Sequence, residues 1–143
     1  MMELLAFGDT GWGDELLLSM VMTILVSTSS LAFGLIIGTI FASFKLSNSY
    51  ILKAIAEFYT TVVRGVPELL VIYLLFFGGS GAVMYVAKIF GHMGYIELSP
   101  FTIGTIAVGA ISGAYSTEVI RGAILAVPKG QFEAAQTLGM AKY

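Results

Sequence analysis

The segment Leu16–Phe44 reads LLLSMVMTILVSTSSLAFGLIIGTIFASF and carries no charge over 29 positions. A helix needs about 20 mostly apolar residues to cross the hydrocarbon core of a bilayer. The segment therefore predicts a membrane-spanning helix, at about residues 16–44, that is long enough to tilt. Residues 1–15 contain four acidic residues and no basic one, whereas a cleaved signal peptide begins with positive charge. We therefore expect this first helix to be retained in the membrane.

The composition of the whole chain agrees with a membrane location. Of its 143 residues, 57% are hydrophobic and only 11% are charged, with a mean hydropathy of +0.92. A soluble domain carries about 25% charged residues, so lipid must cover much of this surface. The net charge of −2 and the lack of a basic cluster argue against a nucleic-acid partner. Without cysteine the chain has no disulfide, thiolate metal ligand or cysteine nucleophile.

Two further spans are predicted, at about residues 55–78 and 100–122. An amphipathic helix at about 50–63 leads into the second span, and Gly65 and Pro67 then loosen the helix because proline lacks an N–H and disfavours helix at the residue before it. The span continues to about Phe77. The run Gly78-Gly79-Ser80-Gly81 is expected to end the second span, with a loop and a short surface helix over 82–99. The predicted fold is an all-α polytopic bundle of about three spans in one transmembrane domain.

The basic residues predict the orientation of these spans, because they collect on the cytoplasmic side of membrane proteins. With the N-terminus outside and the C-terminus inside, six of the seven basic residues lie at the cytoplasmic face, and only Lys88 lies outside. The six are Lys45, Lys53, Arg64, Arg121, Lys129 and Lys142.

Small residues recur at four-residue spacing in the first and third spans. Such stripes allow close approach of helix backbones in lipid, although glycine is also frequent in membrane helices that do not pack in this way. Because three helices alone form a poor transporter, either interpretation implies a larger bundle or an oligomer. The stripes are Ser30, Gly34, Gly38 and Ala42, and Thr105, Gly109, Gly113 and Thr117.

No catalytic or metal-binding constellation is apparent in the sequence. His92 is the only histidine, and it is best interpreted as an exposed loop residue. The sequence contains no GxxxxGK[ST] phosphate-binding loop, so we expect no ATP site and no other cofactor on this chain.

Charges near the cytoplasmic ends of the second and third spans have two interpretations. Glu118 and Arg121 are three residues apart on one helix face and can pair, and Arg64 and Glu68 lie near the same face of the membrane. Together with Tyr115 they form either interfacial ion pairs that anchor helix ends or the polar lining of a translocation path.

The segment after the third span predicts a short helix on the cytoplasmic side. Pro128 and Gly130 interrupt the preceding helix, and residues 131–138 are mostly good helix formers. Taken from the residues alone, it is either a docking element for a soluble partner or an ordinary loop helix.

Three blocks of this sequence resemble the polar amino acid branch of importer-type ABC permeases. Glu133-Ala134-Ala135, followed by Gly139, resembles the first half of the EAA motif of that family. The strings GAYSTEVIRGAI at 113–124 and VRGVPELLVIYL at 63–74 are similar to the same branch. The order of the blocks, and their expected side of the membrane, strengthen the resemblance.

The resemblance implies a MetI-like membrane fold in the bacterial inner membrane, usually with five spans. It also implies a coupling helix at about 130–139 that sits in a cleft of a cytoplasmic ATPase, where ATP is bound and hydrolysed. Further implied partners are a second permease subunit and a periplasmic substrate-binding protein. Because the sequence stops at Tyr143, before the second half of the motif, the chain is expected to be a fragment. The implied coupling residues are Gly130, Gln131, Glu133, Ala134, Ala135 and Gly139.

The functional hypothesis from the sequence is a permease subunit of an ATP-driven importer for polar or basic amino acids or opines, with no enzymatic activity of its own. The alternative is a membrane scaffold or assembly protein that does not transport and whose final segment recruits a soluble partner. A membrane enzyme is disfavoured because no nucleophile and base are paired in the sequence.

Overall fold

The computed structural model describes residues 7–8, 11–89 and 99–140, and within these ranges the chain is helical without strands. The all-α prediction is therefore confirmed. The five helices are α1 (Gly13–Leu46), α2 (Tyr50–Gly65), α3 (Glu68–Ile89), α4 (Pro100–Leu125) and α5 (Lys129–Thr137).

Three of these helices are long and apolar enough to cross a membrane. They are α1 with 34 residues, α3 with 22 and α4 with 26, which confirms the predicted number of spans. The fourth long helix, α2, has 16 residues with a strongly amphipathic pattern. Such a helix suits the boundary between lipid and water, where one face is apolar and the other polar.

The second span differs from the predicted 55–78. The helix breaks at Val66, which is extended with φ −104° and ψ 141°, as expected for the residue before Pro67. A new helix then starts at Glu68 and continues through Gly78, Gly79, Ser80 and Gly81 to Ile89. The prediction that this glycine run ends the span is wrong.

The reason lies in the surroundings of the glycine run. Apolar residues flank it on both sides, and backbone groups in lipid find partners only within the helix itself. Helical hydrogen bonding therefore outweighs the conformational freedom of glycine. The predicted loop at 82–99 is helical as far as Ile89, and residues 90–98, with His92, lie outside the described residues.

The α1 and α4 helices form the most extensive contact of the molecule. The facing surfaces consist mainly of small residues, and the Ser30 hydroxyl of α1 donates a hydrogen bond of 3.3 Å to the Thr105 carbonyl of α4. Both predicted stripes lie in this contact, and all of their members except the half-buried Thr105 are buried.

The α2 helix closes one side of this pair beside the C-terminal part of α1. Ala56 and Thr60 are buried there, and the Tyr59 ring lies 4.4 Å from the Phe41 ring between centroids. The Tyr59 hydroxyl donates a hydrogen bond to the Ala110 carbonyl of α4. These contacts fix α2 against both α1 and α4.

The other two helices are less embedded. Contacts of α3 are mainly with α4, and none of its described side chains is buried. Within the described residues, α5 makes no extensive contact with any other helix. The packed core thus consists of α1, α2 and α4.

Candidate functional site

The α5 helix follows α4 after a three-residue link, residues 126–128. Pro128 is extended, with φ −64° and ψ 139°, and precedes the first residue of α5. Because proline has no N–H, α4 cannot continue through it. The helix was expected at 130–139, and it runs from Lys129 to Thr137.

Almost all of α5 is exposed. The proposed coupling residues Gly130, Gln131, Glu133 and Ala134 are exposed, and Ala135 is half-buried. Within the described residues Glu133 forms no ion pair. The helix therefore presents a carboxylate and two methyl side chains to any partner at this face.

Gly139 ends α5 in a left-handed turn, with φ +79°. Its N–H bonds the Gln136 carbonyl at 3.0 Å, and the N–H of Met140 bonds the Ala135 carbonyl at 3.1 Å. This pair of bonds is the Schellman motif, which satisfies the last carbonyls of a helix and places glycine at the left-handed position. Gly139 thus gives α5 a fixed end.

A second group of predicted residues surrounds Glu118. Its Oε1 atom pairs with the Lys45 Nζ and lies 3.7 Å from an Arg64 guanidinium nitrogen. Its Oε2 atom lies 3.8 Å from an Arg121 guanidinium nitrogen. The Arg64 guanidinium carbon is 5.5 Å from the centre of the Tyr115 ring, a distance at which a cation is attracted to an aromatic face.

The structure therefore brings together Arg64, Tyr115, Glu118 and Arg121 as one cluster. Glu68, the first residue of α3, is exposed and lies close enough to interact with the Tyr115 side chain. These side chains come from α2, α3 and α4, so the cluster lies where three helices meet.

Two charged residues of this cluster, Lys45 and Glu57, were not predicted from the sequence to belong to it. Lys45 is only 8% exposed, and its Nζ lies 3.0 Å from the Glu57 Oε2 atom in addition to its pair with Glu118. A signal was available, because Lys45 ends the uncharged segment of α1 and the basic-residue count already placed it on the same side as Glu118. Since no sequence spacing links residues on different helices, the pairing itself required the packing.

These groups can form ion pairs that connect different helices. Three cations share one carboxylate, and a buried lysine is tolerable only when it is paired. Within the described residues, no three histidine, aspartate or glutamate side chains are grouped in a way that could hold a metal ion. The arrangement suits the joining of helices.

This chain is similar to a family of membrane transport proteins and to several of its members. Residues 33–143 match the family described as "Binding-protein-dependent transport system inner membrane component". The nopaline transport system permease protein NocQ of Agrobacterium fabrum is 51% identical over 140 residues, which are 97% of this chain and 59% of that protein. The histidine/lysine/arginine/ornithine transport system permease protein HisQ of Escherichia coli is 40% identical over 92% of this chain and 58% of its own length.

A solved structure gives the same assignment. The crystal structure of an amino acid ABC transporter with histidines matches 85% of this chain and 51% of its own chain, with a TM-score of 0.65 and 33% sequence identity. The chain thus spans somewhat more than half the length of the curated relatives cited above. With most of its length matched and its helices superposable on a solved relative, the chain belongs to the family of inner membrane components of binding-protein-dependent transport systems.

Proposed function

We propose that this chain forms part of the membrane-spanning permease of an ATP-driven importer for polar or basic amino acids or opines. In this proposal a cytoplasmic ATPase binds and hydrolyses ATP, a periplasmic binding protein delivers the substrate, and a second permease subunit completes the pathway. The names of the opine and basic amino acid permeases among the relatives support this class of cargo.

The observation that carries the proposal is the exposed α5 helix. It is short, holds two small residues, ends rigidly at Gly139, and lies apart from the packed core. Because the sequence has no phosphate-binding loop, the energy of ATP must reach the chain through a contact with another protein. A short rigid helix that is free on most of its surface suits insertion into a cleft of that protein.

The proposal also includes the orientation, with the N-terminus outside and α5 in the cytoplasm. The chain has no cysteine, so single cysteines can be placed at the exposed positions Gly8 and Leu138. In intact cells with a permeabilised outer membrane, an impermeant thiol reagent should label position 8 and not position 138. Labelling of position 138 alone would reverse the orientation and remove α5 from the side where ATP is available.

The coupling role is tested with two substitutions in α5. Ala135→Trp adds bulk where a close fit is proposed, and Gly139→Asp replaces the glycine favoured at the left-handed end of α5 by a negative charge, which is unfavourable at a helix C-terminus. The permease is expressed from its complete gene with its ATPase and binding protein. We expect both variants to stay in the membrane while substrate uptake, and stimulation of ATP hydrolysis by the loaded binding protein, both fall about tenfold or more.

Asn48→Trp provides the matched control. Asn48 is exposed in the turn between α1 and α2, outside α5 and on the same proposed side of the membrane. The Asn48→Trp variant should take up substrate and co-purify with the ATPase at near the wild-type level. Normal uptake in both α5 variants would show that α5 is an ordinary loop helix. If the wild-type complex assembles with its ATPase but takes up no substrate, the scaffold alternative would be favoured instead.

A further inference from the structure

One carboxylate joins the three packed helices at a single point. Glu118 belongs to α4, and the cations around it come from α1 (Lys45), α2 (Arg64) and α4 itself (Arg121). Lys45 extends the connection to a second residue of α2, since its Nζ lies 3.0 Å from the Glu57 carboxylate. Within the described residues, every ion pair of the chain belongs to this network.

The contacts within this network are not equivalent. The Lys45 side chain is 5% exposed and that of Glu118 is 26% exposed, whereas the two arginine side chains are about two-fifths exposed. Water screens the arginine pairs and leaves them weak. The pair between Lys45 and Glu118 is sheltered, and removal of either partner leaves a charge in a poorly solvated place.

The position of Glu118 along the chain gives the network a mechanical consequence. It lies about two helical turns before the end of α4, and α5 follows after residues 126–128. Because α5 has no extensive contact with the other helices, a force applied to α5 enters the bundle through α4. Glu118 is the first charged contact through which that force reaches α1 and α2.

The network also borders the joint that leads into α3. Arg64 is the last residue but one of α2, and Val66 and Pro67 form the break before α3. Since α3 has no buried side chain among those described, its direction depends strongly on this joint. A contact that holds Arg64 therefore also holds the start of α3.

We infer that Glu118 is a positioning residue that makes α1, α2 and α4 move as one unit when α5 is displaced. This inference rests on the proposed function of α5 as the contact with an ATPase. Its competitor is a set of ion pairs that only anchors helix ends. Loss of mere anchoring lowers the amount of intact complex, but leaves the substrate imported per ATP unchanged in the complexes that remain.

The decisive comparison uses E118Q, K45M and the double variant K45M/E118Q. Each single variant removes the closest partner of a sheltered charge, so assembly should suffer: E118Q leaves Lys45 only the exposed Glu57, and K45M leaves Glu118 only the two more distant arginines. The double variant removes both sheltered charges and should recover the yield. The uptake per ATP should remain about tenfold low in the double variant, because the ion pair that connects α1 to α4 beside α2 is still missing. Recovery of both quantities would overturn the inference.

R64Q and K53M complete the set. Arg64 is partly exposed, so R64Q removes the direct link from Glu118 to α2 without leaving a buried charge, while the Lys45–Glu57 pair is retained. We expect the uptake per ATP to fall about threefold to fivefold. Lys53 is also on α2, is exposed, and forms no ion pair within the described residues, so K53M should match the wild type. Unchanged uptake per ATP in R64Q would contradict the inference, even if the double variant failed to assemble.

A distance measurement separates this inference from the proposed function. Spin labels at the exposed positions Phe58 of α2 and Val119 of α4 report whether these helices move together. In the assembled membrane complex, with and without ATP, the distance distribution should stay narrow in the wild type and broaden in the double variant. Equal widths would refute the link between α2 and α4 even if the wild type transports, and broadening would support it even if the wild type does not.

Discussion

Glycine serves opposite purposes in two regions of this molecule. In the contact between α1 and α4, a Cβ atom added at Gly38 would lie 2.5 Å from the Ser116 Cβ and 3.2 Å from backbone atoms of α4. In α3, a Cβ atom added at Gly78, Gly79 or Gly81 would meet no atom within 4 Å. Glycine is a spatial requirement in the first region and leaves open space in the second.

The difference follows from how the glycines are spaced. Residues four apart lie on one helix face, so the four-residue stripes of α1 and α4 create smooth surfaces that pack. Of the three glycines of α3, Gly78 and Gly81 share a face over a single turn and Gly79 lies on another face, so they create no stripe over several turns. Spacing is therefore more informative than glycine content about which membrane helices pack together.

The largest effect is expected from leucine at Gly38. The side chain would have to push Ser116 and the α4 backbone away, and overpacking of a tight contact costs about 1–3 kcal/mol or more. We expect G38L to abolish assembly, or to lower the thermal unfolding temperature of the purified complex strongly. G34L and G109L should act in the same direction, since a Cβ atom at either position would lie within 3.0 Å of α4 or α1 atoms.

G79L is the matched comparison in α3. Because this position is open, the variant should assemble and unfold near the wild-type temperature. Equal losses in G38L and G79L would mean that glycine spacing does not identify the packed helices of this chain.

The sequence was sufficient for the parts of the fold that depend on local patterns. The length of the uncharged segment predicted α1, Pro100 marked the first residue of α4, and the stripes indicated the faces by which these helices meet. The sequence also predicted α5 to within two residues at its C-terminal end, because Pro128 and Gly139 mark its limits.

Features that depend on contacts between helices were less predictable. The prediction that Gly78 to Gly81 end a span failed, because the cost of unpaired backbone groups in lipid exceeds the weak helix preference of glycine. The role of Lys45 was missed since its partners, Glu57 and Glu118, lie on other helices. Neither error could be corrected from sequence spacing within one helix.

An intermediate effect is expected for alanine at Gly113. Its Cβ atom would lie 2.9 Å from both the Ile37 Cγ2 and the Tyr59 hydroxyl, and these are side-chain atoms that can shift only slightly. We expect G113A to lower the unfolding free energy by about 1–2 kcal/mol. Gly104 of α4 has no atom within 4 Å of an added Cβ, so G104A is the control on the same helix, and a loss as large as that of G113A would contradict the prediction.

A smaller effect should follow the loss of one hydrogen bond in the packed region. The space left by Gly113 allows the Tyr59 hydroxyl to reach the Ala110 carbonyl. Y59F removes this bond and keeps the ring against Phe41, so we expect a loss of about 1 kcal/mol in unfolding free energy. Tyr85 of α3 is 70% exposed, and Y85F should be neutral. If Y59F is neutral as well, the Tyr59 hydroxyl does not contribute to the stability of the contact between α2 and α4.

The smallest effect, and the most informative about the second region, is expected from G79A. Glycine in a helix interior is about 0.5–1 kcal/mol less favourable than alanine. Because a methyl group at this position meets no atom within 4 Å, nothing in the described structure opposes the gain. Part of that gain is lost because a span in lipid is helical before it packs, so we expect stabilisation of at most about 0.5 kcal/mol. The measurement is the unfolding temperature of the assembled complex, with G38A as the comparison that must lose stability. A clear loss of stability in G79A would mean that α3 is covered by another helix of the complex at this point, and that its glycines, like those of α1 and α4, make room for a close contact.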